Sequence, residues 1–447
     1  MGRSIRGQSA ARFDAARAAA MAGVWLVALG LGGCASGHNG TYVSDAGEVP
    51  LALTFIYKGG DSVRNQALQE VVDSFNEDQA SVRIQASASE IGADTYEHYL
   101  LIKDAVGEFP DMLEMESTEA YADAGVIAPI PEEIASRLKS PAVIDGKIYA
   151  APLYRELPPA ILYNRDVFAK AGITELPNNW DDFLSLCERI REAGVSPIVV
   201  GGKEVWHLAY WTDYFFGANV YVDHPDWNSE KSGGTVRFAD ADTLAAVTDM
   251  QELWTRRYVN PGWLYTTNAD AATELALGRA GMLYSDVRAL DAIRQANPDA
   301  DIGVFAPPDR QGRVVIRQSS QLEGIALSAE AARVPEKREA FSAFMSYFYE
   351  PEHYARYLQL VKGLASTKQE IDYDNDDETR AFIAIAEDSR AKHALQMNEY
   401  WGDGAMPDGF RDWYLGLLQY TLALNRPNAG QLMDQADEQW ALRMSTP

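Results

Sequence analysis

Glu114 and Glu116 stand two residues apart in an extended run, so their carboxylates share one face of a strand. Two carboxyl groups about 5–9 Å apart are what glycoside hydrolysis uses, one as acid and one as base or nucleophile. Little else in the chain assembles into a catalytic set. His38, His98, His207, His224, His353 and His393 are dispersed, with neither HExxH nor paired spacing. There is no GxSxG elbow, and Gly59-Gly60, Gly201-Gly202 and Gly233-Gly234 lack a phosphate-binding context. Residues 372–378 (DYDNDDE) open like an EF-hand, but Asp377 stands where that loop needs glycine and Ile383 where it needs the bidentate glutamate. A solvated acidic loop is the better reading, and no metal site is expected. With 65 Asp and Glu in the chain, carboxylate pairs also arise by chance. Asp181-Asp182 and Glu132-Glu133 read as charges at helix starts. No enzyme is expected; a secreted lipoprotein glycoside hydrolase stays as the alternative.

The 447 residues are 47% hydrophobic and 23% charged, enough apolar material for sizeable cores. The formal net charge of −26 excludes broad nucleic-acid binding, which needs a basic face. Residues 1–33 read as an export signal: Arg3, Arg6, Arg12 and Arg17 precede the apolar run 24–29 (VWLVAL). The run ends in Leu31-Gly-Gly-Cys34, which resembles the lipobox of bacterial lipoproteins. That resemblance makes Cys34 the lipidated (palmitate-bearing) first residue of the mature chain, followed by a polar tether to residue 49. Cys187 then has no partner, and its place on an apolar helical stripe makes it a buried small hydrophobe.

Leu51, Leu53, Phe55 and Tyr57 alternate as a strand; Val63, Leu68, Val71, Val72 and Phe75 recur at helical spacing; a strand at 82–84 follows. Strand–helix–strand at this distance is a βαβ unit and implies a parallel sheet. The pattern recurs through helix 96–106 into strand 112–115, and helix 180–192 into strand 197–200. After Pro335 the chain reads as nearly continuous helix, at 341–349, 352–361, 378–389, 410–424 and 429–444. Asp145-Gly146 is a turn dipeptide that should start a strand at Lys147. Asn164 and Asn179 read as helix N-caps, with Gly172 closing the first of those helices.

Residues 119–130 (EAYADAGVIAPI), 145–152 (DGKIYAAP), 161–173 (ILYNRDVFAKAGI) and 176–183 (LPNNWDDF) follow in order, then 277–282 (LGRAGM), 301–308 (DIGVFAPP) and 323–327 (EGIAL). This series resembles the extracellular solute-binding proteins of carbohydrate ABC transporters, family 1, the maltose-binding-like type, over nearly all of the chain from Leu51. The resemblance implies an α/β, two-lobed periplasmic-binding-protein-like fold of type II, with a hinge, discontinuous lobes and a helical C-terminal part. The N-terminal lobe would take 51–157 and 325–366, and the C-terminal lobe 161–318 and 370–447. It further implies a monomer, lipid-anchored on the extracytoplasmic face of the cell membrane, that delivers a sugar or oligosaccharide to permease subunits without a cofactor. A sensory lipoprotein on the same fold is a further alternative. One departure is Asn179, where the family's turn carries threonine; it concerns a cap.

Sugar recognition needs aromatic faces for the C–H side of a pyranose and carboxylates, amides or basic groups for its hydroxyls. At the ends of the expected strands and crossovers these are Tyr57 and Lys58, Asp111 and Glu116, Tyr154, Arg155 and Glu156, Trp206 and Trp211, Asp286 and Arg288, Glu323, Trp401 and Trp413. Core packing competes with stacking for Tyr57 and the four tryptophans. Salt bridges or turn hydrogen bonds compete with a ligand role for Asp111, Glu116 and Glu156.

Overall fold

The computed structural model describes residues 50–89, 95–115, 118–319, 321–424 and 428–445. The signal, the lipobox Cys34, the tether and Glu116 lie outside the described residues. Among those described, strands run in chain order as β1 Leu51–Tyr57, β2 Val82–Ala88, β3 Met112–Met115, β4 Ile127–Ala128, β5 Ala150–Ala151, β6 Ala160–Asn164, β7 Ser196–Val199, β8 Ala280–Ser285, β9 Ile302–Phe305, β10 Val315–Gln318, β11 Gly324–Ser328 and β12 Lys392–Leu395. The chain divides into two compact units.

The first unit holds the described residues of Met1–Arg155 with Gln321–Val361 and Ala365–Tyr373. Its sheet has the order β2-β1-β3-β11-β4, with β5 also on β11. β1 runs parallel to β2 and β3, as the βαβ spacing predicts, while β11 returns from far along the chain and lies antiparallel to β3, β4 and β5. β11 enters at Gly324, where a Cβ would stand 2.4 Å from the carbonyl oxygen of Ala151. No other residue fits that approach. Alternation along β1 sends Leu53 and Phe55 into a core with Val72, Phe75, Met112, Phe344 and Phe348. Ile56 points to the other face, against Tyr96 and Leu100. The turn at Asp145-Gly146 forms, with φ of 48° and 76°, but only Ala150–Ala151 is strand beyond it, so the strand expected from Lys147 starts three residues later.

The second unit holds Glu156–Ser320, Lys362–Leu364 and Asp374–Pro447. Its main sheet has the order β7-β8-β6-β9; β7 is parallel to β8, and β6 antiparallel to β8 and β9. A small parallel pair, β10 with β12, joins it. Helix Trp180–Glu192 begins where its cap dictates: the Asn179 side chain accepts from the Asp182 N–H, Asp181 and Asp182 face the positive end, and Arg189 and Arg191 the negative end. Its apolar stripe buries Trp180, Phe183, Cys187 and Ile190. Each such large side chain contributes about 1.5–3 kcal/mol by leaving water. Six of the nine described tryptophans are buried, so most of the aromatic excess is core. The acidic run 372–378 is structural: Asp376 caps helix Asp377–Ala386, and Arg294 pairs with Asp376 and Glu378 at 2.7 Å. No group of His, Cys, Asp and Glu among the described residues could hold a metal. No described helix is long and apolar enough to cross a membrane.

Candidate functional site

In the second unit, the parallel strands β7 and β8 deliver their C-terminal ends to one place, where open α/β sheets bind ligands. After β7 comes the turn Val205–His207, and after β8 come Asp286 and Arg288. Trp206 is 47% exposed. Its ring meets Tyr210 edge-on at 6.1 Å and 76°, and His207 at 5.7 Å. His207 is fully buried and accepts from the Gly201 N–H through Nδ1 at 3.2 Å. Burial pushes its imidazole down to about 4, so it stays neutral and structural. The Tyr210 hydroxyl donates to Oδ2 of Asp286 at 2.6 Å, and the same oxygen takes Arg288 Nη2 at 2.7 Å. Burial favours the protonated Asp286, but Arg288, Tyr210 and a backbone N–H outweigh it and hold the carboxyl below its ordinary range. The result is an ionised carboxylate and a guanidinium beside an open indole: acceptors, donors and an apolar face.

Tyr210 also lines a cavity with Pro159, Asp213, Tyr284, Arg317 and Gln396. It encloses about 350 Å³ with its mouth, of which about 20 Å³ admits the centres of water molecules, room for one or two waters. Arg317 organises the floor. Its Nη2 reaches Glu156 Oε2 at 2.8 Å and Glu399 Oε1 at 2.9 Å. With the Gln396 amide turned so that its oxygen accepts from Arg317, its nitrogen donates to Asp213 Oδ2 at 3.1 Å. Burial pushes the Asp213 carboxyl up to about 7 against the pull of Arg411 and Arg317. Burial likewise raises Glu399, with Arg317 opposing. Glu156, Asp286, Arg288 and Trp206 therefore share one polar region of this unit.

The remaining candidates of the second unit lie elsewhere. Trp211 is fully buried, 4.9 Å from Tyr284 and stacked on Phe215 at 5.9 Å, which overturns the expectation of a stacking surface. It falls on the inner face of helix Leu208–Phe216, one position past Tyr210. Trp401 is half-buried, and its carbonyl accepts from the Gly404 N–H of a single turn. Trp413 is half-buried against Phe410 at 5.7 Å. Neither lines the Tyr210 cavity.

In the first unit, Lys58 follows β1, and its N–H donates to Glu114 Oε2 at 2.8 Å. Arg64 forms an ion pair with Glu114 Oε1, and its Nη2 donates to the Lys58 carbonyl at 3.2 Å. Burial pulls the Arg64 guanidinium down, but Glu114, then Tyr357 and Tyr154, outweigh it and raise it further. Half-buried Tyr154 lies 6.2 Å from Tyr357. Two candidates here are corrected. Tyr57 is buried in the core, its hydroxyl donating to Gln69 at 3.3 Å. Asp111 stands just before β3 and takes the competing salt-bridge role, spent on Lys337 at 2.6 Å and the Thr54 N–H at 3.1 Å. Arg155 donates through Nε to the Ala365 carbonyl at 2.9 Å, a brace between distant segments. Glu323 is exposed just before β11.

Arg64, Asp213, Arg317, Gln396 and Glu399 went unrecognised in the sequence. Arg64 sits in the first turn of a helix whose cap, Asp61, directs it back to the strand ends. That position was the only available signal. The Arg317–Glu156 contact spans 161 residues and leaves none.

The description of the bacterial extracellular solute-binding proteins matches residues 59–354. The chain belongs to this family. It is 24% identical over 281 residues to the multiple sugar-binding protein of Streptococcus mutans serotype c, a match taking in 58% of this chain and 60% of that one. It thus spans about 60% of the length of that curated relative. Among solved structures it is similar to a chitin oligosaccharide binding protein, with a TM-score of 0.71 at 20% identity over 89% of this chain and 100% of the other. It is equally similar to apo RafE from Streptococcus pneumoniae, with a TM-score of 0.71 at 16% identity over 89% and 98%. The type II α/β fold is shared with these proteins. In this solute-binding protein, Glu114 has one oxygen on Arg64 and the other on the Lys58 N–H, an ion-paired brace rather than a poised general acid.

Proposed function

We propose that the chain captures an extracellular sugar or oligosaccharide and delivers it to the permease of an ABC importer, held at the outer face of the membrane by lipid on Cys34. The observation that carries this reading is the exposed Trp206 packed edge-on against Tyr210, whose hydroxyl is held by the Asp286–Arg288 pair. An indole face beside charged hydrogen-bonding groups suits a pyranose, with its apolar C–H side and ring of hydroxyls. Relatives named for multiple sugars, chitin oligosaccharide and raffinose support the same class of solute. Asp286 and Arg288, with Tyr210, would take the hydroxyls and Trp206 the ring face. Glu156 and the Arg317 floor would orient them, and no cofactor takes part. The lipid on Cys34 rests on the signal and lipobox pattern alone.

A thermal-shift panel of mono- and oligosaccharides on purified protein tests the reading. A concentration-dependent rise in Tm with at least one neutral sugar is expected. A flat response across the panel sinks it.

A further inference from the structure

Residues 258–263 run beside β7 and the residues that follow it, hydrogen-bonded to them from Ile198 to Gly202, and along this edge a larger cavity opens that shares no lining residue with the Tyr210 cavity. Pro197, Trp254, Pro261 and Trp263 line it together with Arg191 and Arg257, enclosing about 970 Å³ of open space, of which about 450 Å³ admits the centres of water molecules. That is ample for a small organic molecule.

Arg257 is out of place by local rules. It occupies the position just past the end of helix Ala241–Thr255, with φ of 61°. Its N–H donates to the Trp254 carbonyl at 2.9 Å, and the next N–H to Leu253 at 2.9 Å. Glycine is favoured in this left-handed cap. The same position after helices Arg165–Lys170, Trp180–Glu192 and Asn268–Ala276 is held by Gly172, Gly194 and Gly278, with φ of 69°, 79° and 66°. One other long cation among the described residues takes this conformation, Lys362 with φ of 51° just after helix Pro351–Val361, and it is held there by an ion pair with Asp291; Arg257 carries the same strain with no such partner. Nor does its guanidinium serve the fold. It makes no ion pair or hydrogen bond among the described residues, whereas Arg256 beside it pairs with Glu252 at 2.7 Å and Arg191 is held by Glu188. On a chain of net charge −26, this is an exposed, unpaired cation at the rim of a cavity of mixed polar and apolar lining, into which two largely buried tryptophans show an edge.

We propose that the cavity is a second ligand site, separate from the Trp206–Asp286 region, for a small organic anion. The apolar body of the ligand lies against Trp254, Trp263 and the two prolines, and its carboxylate or phosphate pairs with Arg257.

Benzoate and phenylphosphate are the probes, with benzyl alcohol as neutral and benzylamine as cationic control. Each is titrated into the full ¹⁵N-tryptophan-labelled chain, and the indole signals of Trp254 and Trp263 are followed after assignment by W254F and W263F. Saturable shifts with an anion, weakened about tenfold in Arg257→Gly, are expected. The glycine variant suits the cap, so its Tm stays level or rises, and lost binding cannot be unfolding. The proposal is overturned by no shift up to about 10 mM anion, by equal shifts with benzyl alcohol or benzylamine, or by undiminished affinity in Arg257→Gly.

Discussion

The hydroxyl of Tyr210 donates to Oδ2 of Asp286 at 2.6 Å, joining the ring that supports Trp206 to the carboxylate that holds Arg288. Tyr210→Phe keeps the ring and removes that bond. Asp286 keeps Arg288 but loses a donor to an ionised acceptor, a contribution of about 1.5–3 kcal/mol. We expect sugar affinity, measured by calorimetry, to fall about tenfold or more, with unchanged far-UV circular dichroism.

Trp206 and Trp211 separate binding from stability. Trp206→Ala trims a half-exposed ring, so unfolding free energy should move by no more than about 0.5 kcal/mol while sugar affinity drops. Trp211→Ala empties a fully buried site and should cost about 3–5 kcal/mol in urea denaturation. Equal destabilisation by the two would contradict this placement.

Much of the fold was legible because local signals agreed with the tertiary result. Helix Trp180–Glu192 starts and stops at the residues its cap and apolar stripe indicate, and helix Phe410–Leu424 covers the range its apolar spacing predicts. The site was legible only in part. Asp286 and Arg288 follow β8 directly and could be found from position along the chain. Trp211 misled because one helical position, about 100° of rotation, decides between solvent and core. Tyr57 misled because the last residue of β1 still points into the core. Arg317, Glu399 and Glu156 meet only through tertiary packing, so no spacing announces them.

Asp213 should make stability depend on pH. Its folded carboxyl lies at about 7, above the ordinary value of 3.8, so the native state holds a proton that the unfolded chain releases. The group therefore costs nothing below pH 3.8, and its cost grows as pH rises, becoming complete above pH 7, at up to about 4 kcal/mol. His207 works in the opposite sense below its ordinary value of 6.5, where the unfolded imidazole protonates first. Between pH 6.5 and 8 Asp213 dominates of the two. Asp213→Asn should remove that part of the fall in Tm on going from pH 6.5 to 8; an unchanged slope would refute the assignment.

Asp111 serves as a structural control. Its ion pair with Lys337 and its bond to the Thr54 N–H brace the start of β3. Asp111→Ala should lower unfolding free energy by about 1–3 kcal/mol, since it strands a half-buried cation and a backbone donor. Sugar affinity at a temperature where the variant is folded should not change.

Trp206 and the Tyr210–Asp286–Arg288 group are expected jointly to hold the sugar. Side-by-side isothermal titration of wild type and Trp206→Ala with the sugar that most raises the melting temperature tests it most directly. Wild type should bind saturably and one-to-one, and the variant at least about tenfold more weakly. Equal affinity in the two proteins, with both folded, would contradict it.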